Sequence, residues 1–202
     1  MLLAIDTSAG TSVAIVDRER GILAQEDEGG TRRHAEVIGT LIRSALAGAG
    51  IEPRELSGVV AGMGPGPFTG LRVGIAAARA FALGIGRPVL PLASHDALAL
   101  DATEPIAVVT DARRRELAWS AYAVSDALGL PVRVAGPALA ALGEIDAAVA
   151  GYRRIDAPGI PAGPLGMLAE RLAAAGRPFG PAEPLYLRAP DVALAVLGSA
   201  AS

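Results

Sequence analysis

Three groups of residues in this 202-residue sequence have types and spacings that chemistry can use. The first is Asp6-Thr7-Ser8, placed where the apolar run 2–5 stops. A carboxylate there can hold a metal-bound polyphosphate through water, with hydroxyls and turn N–H groups on the phosphates. A plainer role is to satisfy the backbone of the turn. The second is Asp111, which ends a similar apolar run over 106–110 and would face Asp6 across a cleft. The third is Gly62-Met63-Gly64-Pro65-Gly66-Pro67-Phe68-Thr69-Gly70-Leu71-Arg72-Val73-Gly74, between a buried strand at 58–61 and a helix expected over 69–85 with Thr69 as its N-cap. Glycine-rich turns before helices bind anions through free N–H groups.

Several chemistries are excluded by what is missing. All eighteen basic residues are arginine, so a phosphate-loop lysine and Schiff-base chemistry are ruled out. The dinucleotide pattern G-x-G-x-x-G fails because Pro67 occupies its third glycine position. Cysteine is absent, which removes disulfides and thiolates. The two histidines, His34 and His95, lie far apart and lack a partner at helical spacing; each reads as a solvated polar residue at a helix start. No G-x-S-x-G elbow is present, so a hydrolase triad has no frame. Arg113-Arg114-Arg115 forms the one basic cluster, either a solvated hairpin tip or a contact for a nucleotide, RNA or an acidic partner.

The elements that must position these residues read as α/β. Strands are expected at 2–5, 12–16 and 21–25 as an antiparallel meander. A helix capped by Thr31 follows to Ala47, with Val37, Ile38, Leu41, Ile42, Ala45 and Leu46 on one face. The helix after the glycine-rich loop carries Gly70, Gly74, Ala78 and Ala82 at a spacing of four. Each helical glycine costs about 0.8–1 kcal/mol relative to alanine, so this stripe reads as a close-contact surface, either for the protein's own sheet or for a second protein. A strand at 89–92, a helix at 94–100, and a second lobe opening at 106–110 and 117–124 come next. A short helix at 137–142, a strand at 147–150 and a helix at 165–174 complete the reading. The strand–Asp–turn–strand pattern of 2–16 recurs at 106–124, which points to duplication. The domains expected are a first lobe, 1–103, a second, 104–190, and a tail, 191–202.

The net charge of −3 supplies no footprint for direct nucleic-acid binding. The N-terminus lacks a basic region and reaches a carboxylate at Asp6, unlike a secretory signal. Arg72 and Arg79 interrupt the most apolar helix, so no membrane span is expected, and a soluble cytoplasmic protein is.

Five pieces of the sequence resemble the TsaB family, the dimerisation subunit of the bacterial tRNA threonylcarbamoyladenosine machinery. They are Leu3-Ala4-Ile5-Asp6-Thr7-Ser8, Arg33-His34-Ala35-Glu36, residues 64–74, Asp111-Ala112-Arg113-Arg114, and Tyr186-Leu187-Arg188. The piece at 64–74 is the most specific, with Pro67 where serine is commonest. The resemblance implies the actin-like and Hsp70-like fold, two lobes each with a mixed sheet flanked by helices. It also implies a catalytic paralogue, TsaD, whose stretch equivalent to residues 91–98 carries two metal-binding histidines. Their places here hold Ser94 and Leu98, or, counted from His95, Ala99 in the second. The expected role is therefore a non-catalytic partner subunit without a cofactor of its own, ATP and metal belonging to its partners. The TsaD paralogue, the ATPase TsaE and a homodimer when alone are the expected partners, with tRNA reached only through the complex. Gly70, Gly74, Ala78, Ala82, Leu41 and Ala45 are the expected docking residues; Asp6, Thr7, Ser8 and Asp111 are expected as a vestigial phosphate site. The competing class is a kinase or ATPase of the same fold, using Asp6 and Asp111 around Mg-ATP.

Overall fold

The computed structural model describes residues 1–29 and 33–188. Its first sheet has five strands, β1 (Leu2–Asp6), β2 (Thr11–Asp17), β3 (Gly21–Glu28), β4 (Gly58–Gly62) and β5 (Val89–Leu92), in the order β3-β2-β1-β4-β5. β1 runs antiparallel to β2 and parallel to β4. Successive side chains of a strand point to opposite faces, and β1 uses both. Leu3 and Ile5 pack with Ile42, Ala45, Leu71 and Ala78 of two helices, α1 (His34–Ala49) and α2 (Phe68–Ile85). Leu2 and Ala4 face the other way, onto Leu165, Leu168 and Ala169 of a C-terminal helix, here α4 (Ala162–Ala174). Burying each large apolar side chain fully is worth about 1.5–3 kcal/mol, and a strand with both faces covered explains the unbroken apolar run.

The second sheet holds β6 (Ile106–Asp111), β7 (Glu116–Ala123), β8 (Val132–Ala141) and β9 (Arg153–Asp156), in the order β8-β7-β6-β9. A short helix, α3 (Ile145–Ala148), puts Ile145 against Ala107 and Val109 on one face. Ala99, from a 3-10 turn at Ser94–Ala99, packs with Ile106, Val108 and Tyr122 on the other. β6 is antiparallel to β7 and parallel to β9, so the second sheet repeats the pairing of β1 with β2 and β4. The topology is thus duplicated, giving two mixed sheets flanked by helices.

Four local expectations are corrected. Residues 137–142 belong mainly to β8 rather than a helix, because that segment pairs along β7 and, as the edge strand, tolerates Pro137. Residues 147–150 close α3 and its following turn; the strand comes later, at β9, whose polar Arg153-Arg154-Ile155-Asp156 gives no apolar signal. Thr69 is inside α2, whose N-cap is Pro67 and whose start has no side-chain cap. The boundary at 103 does not separate two self-contained units, because α4 returns from the second half of the chain to cover the first sheet. α2 is long and apolar enough to cross a membrane by length and composition alone, despite its arginines; it packs here across the sheet with a third of its residues buried. The cap expected at Thr31 and the tail at 191–202 lie outside the described residues.

Candidate functional site

The end of β1 brings Asp6, Thr7 and Ser8 under the glycine-rich loop and the first turns of α2. All three are buried. Thr7 Oγ1 donates to the Gly70 carbonyl at 2.7 Å and accepts from the Gly74 N–H at 3.1 Å. One hydroxyl thus bridges the two backbone groups that an α-helix pairs directly. The glycines are explained by this crossing. A Cβ on Gly74 would overlap the Thr7 hydroxyl, one on Gly70 would lie 2.7 Å from the Thr7 carbonyl oxygen, and one on Gly66 would lie 2.6 Å from the Ser8 carbonyl oxygen.

The small-residue stripe therefore faces inward. Gly70, Gly74, Ala78 and Ala82 are all buried within the chain, and so is Ala45, while Leu41 is partly buried against the same core. The expectation that these residues meet a second protein is corrected: their small size admits the hairpin tip and the sheet. The outward surface of the two helices is made instead of Ala35, Gly39, Thr40 and Arg43 on α1, and Arg72, Ala76, Arg79, Ala80 and Leu83 on α2. Leu83 is 84% exposed.

Asp6 is sealed rather than presented. Its Oδ1 accepts from the Ser8 N–H at 2.8 Å and the Ser8 hydroxyl at 2.5 Å, closing the turn locally. Its Oδ2 is buried without a hydrogen bond among the described residues, and a Cβ on Gly62 would overlap it. Burial pushes the carboxyl above its ordinary range, with the Ser8 donors pulling the other way. Ser94 is buried beside it and accepts from the Gly64 N–H at 3.0 Å. Asp111 differs in every respect. It is exposed at the end of β6, accepts from the Arg113 N–H at 2.8 Å and pairs with the Arg113 guanidinium at 3.3 Å. Its environment is that of a turn carboxylate.

Neither histidine is the solvated polar residue expected. His34 is buried and its Nδ1 lies 2.7 Å from Thr11 Oγ1, tying the start of α1 to β2. His95 is fully buried, with Nδ1 2.9 Å from Ser120 Oγ and Nε2 2.9 Å from Thr110 Oγ1. One ring nitrogen donates and the other accepts, so the imidazole fits neutral. Burial holds its pKa down at about 3, and the Arg133 charge adds to the effect. It clasps the 3-10 turn that follows the first sheet to β6 and β7 of the second. Among the described residues, no three histidine, cysteine or carboxylate side chains come together to hold a metal ion.

A second locus was missed by sequence reasoning. Phe68, Thr69, Arg113, Arg114, Tyr186 and Arg188 line a cavity of about 400 Å³ between the start of α2 and the β6–β7 turn. The Phe68 and Tyr186 rings lie 4.6 Å apart at their centroids. A signal was present. The chain has only seven aromatic residues, and two of them stand in the motif pieces at 64–74 and 186–188.

Known proteins can now be set beside this geometry. Residues 15–177 match the family model described as TsaD, tRNA N6-adenosine threonylcarbamoyltransferase. An uncharacterised protein of Mycobacterium tuberculosis is 37% identical over 204 residues, covering 94% of this chain and 92% of that one. TsaB of Haemophilus influenzae, a tRNA threonylcarbamoyladenosine biosynthesis protein, is 35% identical over 125 residues, 59% of this chain and 52% of the relative. YeaZ from Pseudomonas aeruginosa superposes with a TM-score of 0.73 at 28% identity, over 92% of this chain and 99% of that one. The chain belongs to the TsaB family. Membership ties it to tRNA threonylcarbamoyladenosine biosynthesis. In this chain the hairpin tip and the glycine-rich loop of the shared motifs are folded into each other, with side chains that a phosphate site would present turned inward.

Proposed function

We propose that this protein is the non-catalytic dimerisation and activating subunit of the threonylcarbamoyladenosine-forming complex. It holds a TsaD-type transferase in its working state while that enzyme modifies the N6 of the adenosine beside the anticodon. The observation that carries this reading is the state of Asp6, Thr7 and Ser8. Their polar atoms are spent on α2 and on one another, and Gly62 closes over the carboxylate. A kinase or ATPase would need Asp6 open to a hydrated metal ion. Consistent with a docking role, α2 is strongly apolar yet has only a third of its residues buried, and Leu83 stands outward on it. Burial of such a surface is the driving force of stable association.

In this reading the outward faces of α1 and α2 pair with the transferase, a TsaE-type ATPase joins the pair, and tRNA is reached through the complex. The same faces support a homodimer when the protein is alone. ATP and metal belong to the partners, and the cytoplasm is the working compartment. Sedimentation of the protein with its TsaD-type partner, beside an assay of threonylcarbamoyl transfer to tRNA, tests it. A stable heterodimer is expected, with transfer dependent on both chains. Leu83→Glu should weaken the heterodimer about tenfold or more at unchanged melting temperature. A transferase equally active alone would overturn the role, as would Mg-dependent ATP turnover by the isolated protein that is lost in Asp6→Asn.

A further inference from the structure

The cavity at the start of α2 is not used by the partner role, and its walls come from three separate parts of the chain. One wall is the first turn of α2. The Phe68, Thr69 and Gly70 N–H groups precede the first intrahelical bond, from Leu71 to Pro67, and this turn has neither a side-chain cap nor an acidic residue. A second wall is the β6–β7 turn with Arg113 and Arg114. The third is the segment carrying Tyr186 and Arg188.

These walls are braced against each other. Arg188 pairs with Glu116, and its guanidinium donates to the Ala112 carbonyl at 3.4 Å and the Arg113 carbonyl at 3.2 Å. The Leu185 N–H donates to the Met63 carbonyl at 2.7 Å, fixing the third wall to the first sheet. Arg72 stacks its guanidinium 3.6 Å from the centroid of Phe68 and donates from Nε to the Tyr186 hydroxyl at 3.3 Å.

The lining is cationic. Arg113, Arg114 and Arg188 line this cleft and Arg72 stacks on its Phe68 wall, in a chain whose net charge is −3; Arg113 also pairs with Asp111 and Arg188 with Glu116. No acidic side chain lines the cavity among the described residues. Its volume of about 400 Å³ falls in the range of small-ligand sites, about 300–1,000 Å³. Cationic walls ask for an anion, and the aromatic wall asks for a flat apolar ring beside it.

We propose that this cleft binds a nucleotide unit, its phosphate against the start of α2 and the Arg113, Arg114 and Arg188 side chains, its base against Phe68 and Tyr186. Base stacking on aromatic side chains combined with a cationic track is the general solution for single nucleotides and unpaired strands. The unit comes either from a free nucleotide or from a single-stranded RNA. In both cases it is bound and not turned over, and binding needs no magnesium ion, since among the described residues no cluster of metal-holding carboxylates accompanies the phosphate position.

Calorimetry on the whole chain at low salt, without magnesium, tests this with AMP, a hexameric oligoadenylate and inorganic phosphate as probes. AMP is expected to bind, and Thr69→Glu and Arg114→Ala, both at exposed positions, should each lower its affinity about tenfold or more. Phe68→Leu should bring AMP down to the affinity of inorganic phosphate. Hexamer binding much tighter than AMP, with a steep salt dependence, assigns the unit to RNA; equal affinities assign it to a free nucleotide. Absence of binding by both AMP and the hexamer at millimolar concentration overturns the proposal. So does AMP binding unchanged in Thr69→Glu and Arg114→Ala variants whose melting temperatures match the parent, or inorganic phosphate binding as tightly as AMP to the parent protein.

Discussion

In the hairpin of β1 and β2 the tip is the enclosed part: Thr7 and Ser8 are each about 1% exposed, with α2 crossing directly over them. In the hairpin of β6 and β7 the tip stands outermost, with Asp111, Arg113, Arg114 and Arg115 in solvent, and the enclosed part is the base, where His95 joins Thr110 to Ser120. The two hairpins share their pairing and their leading aspartate. What separates them is the neighbour: a loop and helix carrying Gly66, Gly70 and Gly74 settle onto the first tip, whereas among the described residues no helix covers the second. One copy of a repeated unit has its tip sealed under a helix, and the other leaves its tip at the surface. Duplication of a strand pattern therefore does not carry duplication of a site.

The sharpest way to break this contrast is Gly74→Leu. It forces a side chain into the space of the Thr7 hydroxyl, and the expected cost is about 3 kcal/mol or more from overpacking and two lost backbone partners. Urea denaturation measures it. A small loss would mean that the hairpin tip is not held by α2. The same substitution cannot serve as a test of docking, since it acts on folding first.

The base of the second hairpin is probed by pH. His95 has a folded pKa of about 3 against an ordinary 6.5, so below pH 6.5 the unfolded chain takes up a proton that the folded chain refuses. Stability from this group is complete above pH 6.5 and is lost as pH falls toward 3, at about 1.4 kcal/mol per pH unit. Urea midpoints between pH 7 and 4.5 should show that slope, and His95→Gln should flatten it. An unchanged slope in the variant would place the acid sensitivity elsewhere.

Smaller effects separate the two tips. Thr7→Val keeps shape and removes the hydroxyl that serves Gly70 and Gly74, with an expected loss of about 1–3 kcal/mol. Asp111→Asn on the exposed tip should stay within about 0.5 kcal/mol. Thermal melts of the pair read the difference directly, and equal losses would remove the distinction between an enclosed and an open hairpin.

The sequence was most readable where burial is two-sided or periodicity is long. The runs at 2–5, 58–61 and 106–110 are strands, and the helices around 34–49, 68–85 and 162–174 follow their apolar spacing. It was least readable in β8 and β9. The first contains Pro137, and the second is largely charged; each is a strand only because a neighbour offers it a ladder. The candidate site was half legible. Glycines at a spacing of four announced a close approach, yet spacing cannot say what approaches. His34 and His95 looked like surface residues because their hydroxyl partners, Thr11, Thr110 and Ser120, lie 15 to 25 positions away in the chain.

By itself the sequence determined the class of fold, the internal repeat, the close-contact glycines and the lack of thiol and lysine chemistry, because these depend on residue type and local period. Tertiary structure alone decided that α4 closes the first sheet, that Asp6 is sealed while Asp111 is open, and that Phe68, Tyr186 and the arginines meet around one cavity. Those outcomes depend on which distant segments share a volume, and a carboxylate, an imidazole or a glycine takes its role from the atoms packed against it.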